Sequence, residues 1–195
     1  MDRIGAVLLA AGASRRFGDE NKLAAKLDGE PLVRHVARIL SESGIGDIVV
    51  VTGHDRETVE DALDGLPLRF VHNEDWSSGM GRSIARGIRA LRPDTPATFI
   101  VPGDMPYLTV ALLEALAGRF TDAEGSAIVA PTTENGEQRN PVLWPRRWFD
   151  DLASLDGPEG GKALLRHHWN EVLRVPVTEN SVFTDIDTPD DLPKT

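Results

Sequence analysis

Five short apolar runs recur along this chain, at residues 4–11, 47–53, 67–73, 97–104 and 126–131. Helix-length stretches separate them. Between the first two, Leu32, Val36, Ile39 and Leu40 fall at helical spacing, with Pro31 as opener and Gly44 as stop. Residues 54–66 read as a polar-faced helix with Val59 and Leu63 inward, and residues 83–91 put Ile84, Ile88 and Leu91 on one stripe. Thr109 is placed to cap the helix that follows it. Runs without polar alternation need cover on both faces. Strands alternating with helices therefore predict an α/β fold, with a mostly parallel sheet between two helical layers and right-handed connections. Beyond residue 131 turns are denser. Short elements are expected at 141–145, 148–155, 163–169 and 172–177, and residues 182–188 read as extended.

The 195 residues, 41% of them hydrophobic, suit one domain spanning 1–195 rather than two. The formal net charge of −10 argues against a general nucleic-acid surface, so any bound polyanion needs a few placed cations, backbone N–H groups or a metal. The absence of cysteine excludes disulfides, thiolate metal sites and thiol nucleophiles. The first apolar run is too short to span a bilayer and poorly flanked for a signal peptide. A cytoplasmic protein without membrane or nucleic-acid partners is expected, and nothing demands more than a monomer.

Ligands in such sheets sit outside the carboxyl ends of the strands. Three polar loops fall there, at residues 12–22, 72–83 and 103–107. The first belongs to LAAGASRRFG, residues 9–18, with Lys22 beyond it. A Walker loop is ruled out because five residues separate Gly12 from Gly18 and Asp19 follows. The dinucleotide pattern GxGxxG is not matched either. Anion binding remains physically sensible. Gly12 and Ala13 let backbone N–H groups approach a ligand, Ser14 adds a hydroxyl, Arg16 can grip a phosphate with two donors, and Lys22 supplies a point charge. The plain alternative is a tight strand-to-helix turn with solvated basic residues.

Oxygen donors cluster in two places. Asp104 lies in Val101-Pro102-Gly103-Asp104-Met105-Pro106, at the end of the fourth apolar run. Asp185 and Asp187 flank Ile186 and would share a face if that stretch were a strand. Carboxylates plus substrate phosphates are the usual surroundings of Mg²⁺. A turn-forming aspartate at 104 and a helix-start aspartate at 187 remain the simpler alternatives. Histidine pairs at metal-binding spacing are absent, since His167 and His168 are adjacent.

The motif Leu9-Ala10-Ala11-Gly12, Ser14, Arg16, Gly18 and Lys22 resembles the signature of the nucleotidyltransferases that activate molybdopterin, within the NTP-transferase superfamily. The resemblance runs from Leu9 to Asp191 and includes GDMP at 103–106 and DIDTP at 185–189. It implies a Rossmann-like three-layer sandwich. It also implies catalytic roles for Arg16, Lys22 and Asp104, with Mg²⁺ held by Asp104 and by Asp185 or Asp187. Loop residues Leu9, Ala10, Ala11, Gly12, Ala13 and Ser14 would wrap the triphosphate. Asn73, Trp76, Gly79 and Ser83 match a pattern lying near base and ribose in relatives. Asn140 and Pro141 match an acceptor-facing stretch, although Gln138-Arg139 stands before them without the relatives' glycine. Ala11, giving LAAG rather than LAGG, resembles the cytidylyltransferase branch. The implied reaction moves CMP from CTP to molybdopterin, the product serving a molybdenum hydroxylase. The alternatives are a transferase using GTP or another phosphate acceptor, and a non-catalytic carrier of the finished cofactor. A hydride-transfer enzyme is disfavoured by the missing GxGxxG.

Overall fold

Gly5–Ala10 carries no charged side chain, so it is stable only with both faces covered. The computed structural model describes residues 1, 3–18 and 20–193, leaving Asp19 of the loop argument outside them, and places this strand inside a seven-stranded sheet. The strands in chain order are β1 (Gly5–Ala10), β2 (Lys26–Leu27), β3 (Glu30–Pro31), β4 (Asp47–Thr52), β5 (Arg69–His72), β6 (Ala97–Pro102), β7 (Val129–Thr132), β8 (Val142–Pro145) and β9 (Leu173–Pro176). The helices are α1 (Leu32–Glu42), α2 (Arg56–Ala62), α3 (Met80–Ala90), α4 (Val110–Asp122), α5 (Phe149–Ala153) and α6 (Lys162–His167). The main sheet has the order β5-β4-β1-β6-β8-β7-β9, and β2 and β3 form a separate hairpin.

Side-chain alternation sorts the core into two layers. Ala6, Leu8 and Ala10 of β1 face Val33, Val36 and Leu40 of α1 and Leu113 and Leu116 of α4. Val7 faces Ile84 and Ile88 of α3, with Leu152 of α5 and Leu165 of α6 in the same layer. Gly87 lets α3 lie directly on β1, where a Cβ would stand 2.3 Å from a methyl of Val7. Thr109 caps α4 as expected, its hydroxyl accepting from the Leu112 amide at 3.2 Å. Among the described residues, no helix is long and apolar enough to cross a membrane.

The sheet is mostly parallel as expected, and three local readings beyond it are corrected. Residues 141–145 run antiparallel between β6 and β7, so the sheet is parallel except around β8. Residues 182–188 are not a strand. A 3-10 turn at Asn180–Phe183 is followed by irregular chain, so a shared strand face for Asp185 and Asp187 does not exist. The cause is Ile186, which is fully buried against Phe17, Leu27 and Leu32 and pins the chain at one point. The last helix, α6, has six residues rather than the longer run expected, and α3 begins at Met80 rather than Ser83.

Candidate functional site

β1 pairs in parallel with β4 on one side and β6 on the other, with Ala10 opposite Thr52 and Leu9 opposite Pro102. The three strands therefore finish level. The chain leaves β1 for β4 in one direction and reaches β6 in the other, which opens a crevice between the ends of β1 and β6. Gly103 closes its floor. Its amide donates to the Leu9 carbonyl at 3.0 Å, and a Cβ there would meet that oxygen at 2.8 Å. Asp104 follows at the rim.

The first loop turns sharply at Ser14, whose φ is 51°, and the Phe17 amide donates back to the Ser14 carbonyl at 2.7 Å. Phe17 is buried beside Ile186 and anchors the loop. Asn21 then caps a 3-10 turn over Lys22–Ala24, its Oδ1 accepting from the Leu23 amide at 3.0 Å. Leu23 is buried, so Lys22 next to it is held toward the crevice. The buried Nδ2 of Asn21 has no hydrogen-bond partner among the described residues.

Lys22 Nζ lies 2.5 Å from Asp104 Oδ2 and 2.9 Å from Asp187 Oδ1. Arg16 meets the same Asp187 carboxylate with both terminal nitrogens, each at 2.9 Å. Asp187 is delivered by its neighbour, since the Ile186 amide donates to the Asp104 carbonyl at 3.1 Å. Asp191 locks the turn from below, its Oδ2 accepting from the amides of Asp187 and Thr188. Burial pulls the Lys22 ammonium down, but Asp104 and then Asp187 outweigh it and leave its pKa raised. The hydrogen bond from Lys22 holds the Asp187 carboxyl below its ordinary value. Asp185 goes the other way. Desolvation, followed by the charges of Asp104 and Asp187, pushes it up to about 6.

Among the described residues, no group of three or more histidine, aspartate or glutamate side chains is already gathered for a metal. What is gathered is a carboxylate pair, Asp104 and Asp187, converging on one ammonium. Two hard oxygen donors beside an anion-binding loop fit Mg²⁺, which keeps water and substrate phosphates in its remaining positions. Asp185 is close enough for both charges to be felt, but it does not share the ammonium.

The crevice has a volume of about 440 Å³ and a lining of charged and uncharged residues. Arg15, Arg16, Lys22, Asp104 and Asp187 are the charged ones. Ala11, Gly12, Trp76, Met80 and Pro158 are among the residues lining the rest, as are the expected Leu9, Ser14, Gly79 and Ser83. Ala10, Ala13, Asn73, Asn140, Pro141 and Asp185 are not in its wall. Ala10 points into the core on the α1 side. Asn73 is buried behind the wall, where its Nδ2 donates to Ser83 Oγ at 3.0 Å and its Oδ1 accepts from the Asp75 amide. Asn140 and Pro141 precede β8, whose Val142 lies opposite Ile100 near the carboxyl end of β6. Arg15 and Pro158, which no motif marked, also line the crevice. The available signal for Pro158 was the Asp156-Gly157-Pro158 turn between two helical stretches.

Cations, carboxylates and a switch-point crevice on this sheet define an α/β protein of NTP-transferase type. The family described as MobA-like NTP transferase domain matches residues 6–172, and the chain belongs to it. A crystal structure of the Mycobacterium tuberculosis rv0371c homologue from Mycobacterium sp. strain JC1 superposes with a TM-score of 0.82 at 26% identity, covering 97% of this chain and 93% of that one. The chain is 33% identical over 128 residues to the bifunctional protein GlmU of Syntrophomonas wolfei, covering 65% of this chain but 28% of that protein. It is 29% identical over 188 residues to the nicotine blue oxidoreductase of Paenarthrobacter nicotinovorans, covering 93% of this chain and 91% of that one.

Proposed function

We propose that this chain, a cytoplasmic single-domain protein, transfers CMP from CTP to the terminal phosphate of molybdopterin, releasing pyrophosphate. The observation that carries the reading is the Lys22 ammonium shared between Asp104 and Asp187, with Arg16 beside it, in a crevice otherwise lined by uncharged residues. Such a cleft accepts a triphosphate on its charged residues and a base on its uncharged ones. The LAAG motif supports cytidine as that base.

The acceptor phosphate is ionised at neutral pH and needs no strong general base. Its oxygen attacks the α-phosphorus, the α–β bridging bond breaks, and the electron pair leaves with pyrophosphate. Arg16 and Lys22 neutralise the triphosphate and then the leaving pyrophosphate. The amide of Gly12 and the hydroxyl of Ser14 hold it in line. Asp104 and Asp187 would hold Mg²⁺, with Asp185 in reserve; the ion would supply charge neutralisation at the phosphates.

A hydride-transfer reading has the full-length oxidoreductase relative in its favour. Thermal unfolding with CTP, GTP, ATP, UTP and NADH, each with and without Mg²⁺, separates the readings. A ligand at 100 times its dissociation constant adds about 2.7 kcal/mol. CTP with Mg²⁺ is expected to raise the midpoint most, and Asp104→Ala to lose the effect. Stabilisation by NADH alone would replace the transferase reading. Stabilisation by finished molybdopterin dinucleotide, with no turnover, would make the chain a cofactor carrier.

A further inference from the structure

Two glycines at the start of α3 have no room for a side chain. A Cβ on Gly79 would stand 2.4 Å from the Gly157 carbonyl carbon and oxygen, and one on Gly81 would stand 2.7 Å from the Asp156 carbonyl. The backbone of residues 156–158 therefore rests directly on the backbone of α3. The Gly81 amide donates to the Gly157 carbonyl at 2.9 Å. Arg82 fastens this strap from outside. Its Nε donates to Asp156 Oδ1 at 2.9 Å and its Nη2 to Oδ2 at 3.2 Å, while the same Oδ1 accepts from the Gly157 amide at 2.8 Å. Arg82 and Asp156 are exposed and neither lines the crevice. Pro158, two residues beyond Asp156, lines the crevice together with Gly79, Met80 and Ser83 at the start of α3.

We propose that Arg82 is a positioning residue for the nucleoside half of the ligand, acting through Asp156 and the 156–158 strap. This rests on the nucleotide reading above and deepens it. The fork fixes the strap before binding, so the ligand need not order it. Breaking the fork leaves the phosphate grip intact and loosens only the uncharged wall.

The test compares two probes on wild type, Arg82→Ala and Asp156→Ala by calorimetric titration with Mg²⁺. CTP reports the whole lining and inorganic tripolyphosphate reports the charged residues alone. Ordering a loop on binding weakens affinity, so each variant should bind CTP about tenfold less tightly. Tripolyphosphate affinity should stay at the wild-type value, which also shows that the fold survives. Arg82→Lys, or the exchange R82D with D156R, should recover part of the loss. Unchanged CTP affinity in both single variants overturns the proposal. So does an equal weakening of both probes, which would mark a merely structural contact. A wild type that binds neither probe overturns the nucleotide reading itself, and this one with it.

Discussion

Arg16 grips Asp187 with Nη1 on Oδ2 and Nη2 on Oδ1, each at 2.9 Å. A guanidinium grips a phosphate in the same two-pronged way. Under the proposed reaction, Asp187 thus occupies the fork that a phosphate would take. In EDTA, Asp187→Asn should bind tripolyphosphate more tightly than wild type. The Arg16 side chain is 71% exposed, and an exposed pair is worth about 0.2–1 kcal/mol, so the gain is on the order of 1.4- to 5-fold. With Mg²⁺ present the same variant should transfer CMP more slowly. Weaker tripolyphosphate binding in EDTA would sink the competition.

Among the described residues, Lys22 is the one side chain bonded to both Asp104 and Asp187. Lys22→Met should lower the transfer rate by about 10²–10³-fold, the usual loss for one preorganised charge donor. It should also lower the metal-free melting midpoint, because Asp104 then loses its ammonium partner. Mg²⁺ should restore the midpoint but not the rate. Single-turnover kinetics and melting curves check both halves.

Asp185 titrates near 6 in the folded protein because of desolvation and then the charges of Asp104 and Asp187. Its folded pKa lies above its unfolded value, so the folded state holds the extra proton. Stability from this group is therefore greatest below about pH 4 and falls as pH rises through about 6. Relative to Asp185→Asn, metal-free wild type should lose stability between those limits. Parallel denaturation midpoints for the two proteins from pH 4 to 7 would refute it.

A Cβ on Gly53 would stand 2.6 Å from Trp76 Cβ and 2.8 Å from both Ala11 Cβ and the Ala11 carbonyl. Gly53→Ala should destabilise the fold by about 1–3 kcal/mol, as overpacking does. Gly12 has nothing within 4 Å, so Gly12→Ala should leave stability near wild type while intruding on the crevice. Urea unfolding separates the two.

Ala11 is buried, lines the crevice and packs beside Gly53. Ala11→Gly removes one methyl from that wall. A purine then fits better, and discrimination of CTP over GTP should relax by about 10-fold or more, the worth of one methylene. An unchanged preference in competition binding would end that account.

The helical layers were readable because β1, β4 and β6 lack polar alternation, a pattern that only a doubly covered sheet accommodates. That the loops carrying Arg16, Lys22 and Asp104 would meet was readable because they follow β1 and β6, whose ends lie level. The 182–188 stretch misled because its alternation is that of a strand, whereas one buried side chain, Ile186, sets its course. Asn73 looked like a ligand contact by position. Its amide instead buttresses Ser83, a relation between side chains that spacing does not express. Pro158 was invisible because two glycines on α3 place it, and a missing side chain leaves no mark of what rests on it.

Lys22 and Asp187 are 165 residues apart, and Arg16 and Asp187 are 171 apart. A ribosome adding about 5–20 residues per second therefore releases the basic loop on the order of ten seconds before Asp187. In the folded chain an anion reaching Arg16 competes with a carboxylate supplied from the far end of the sequence.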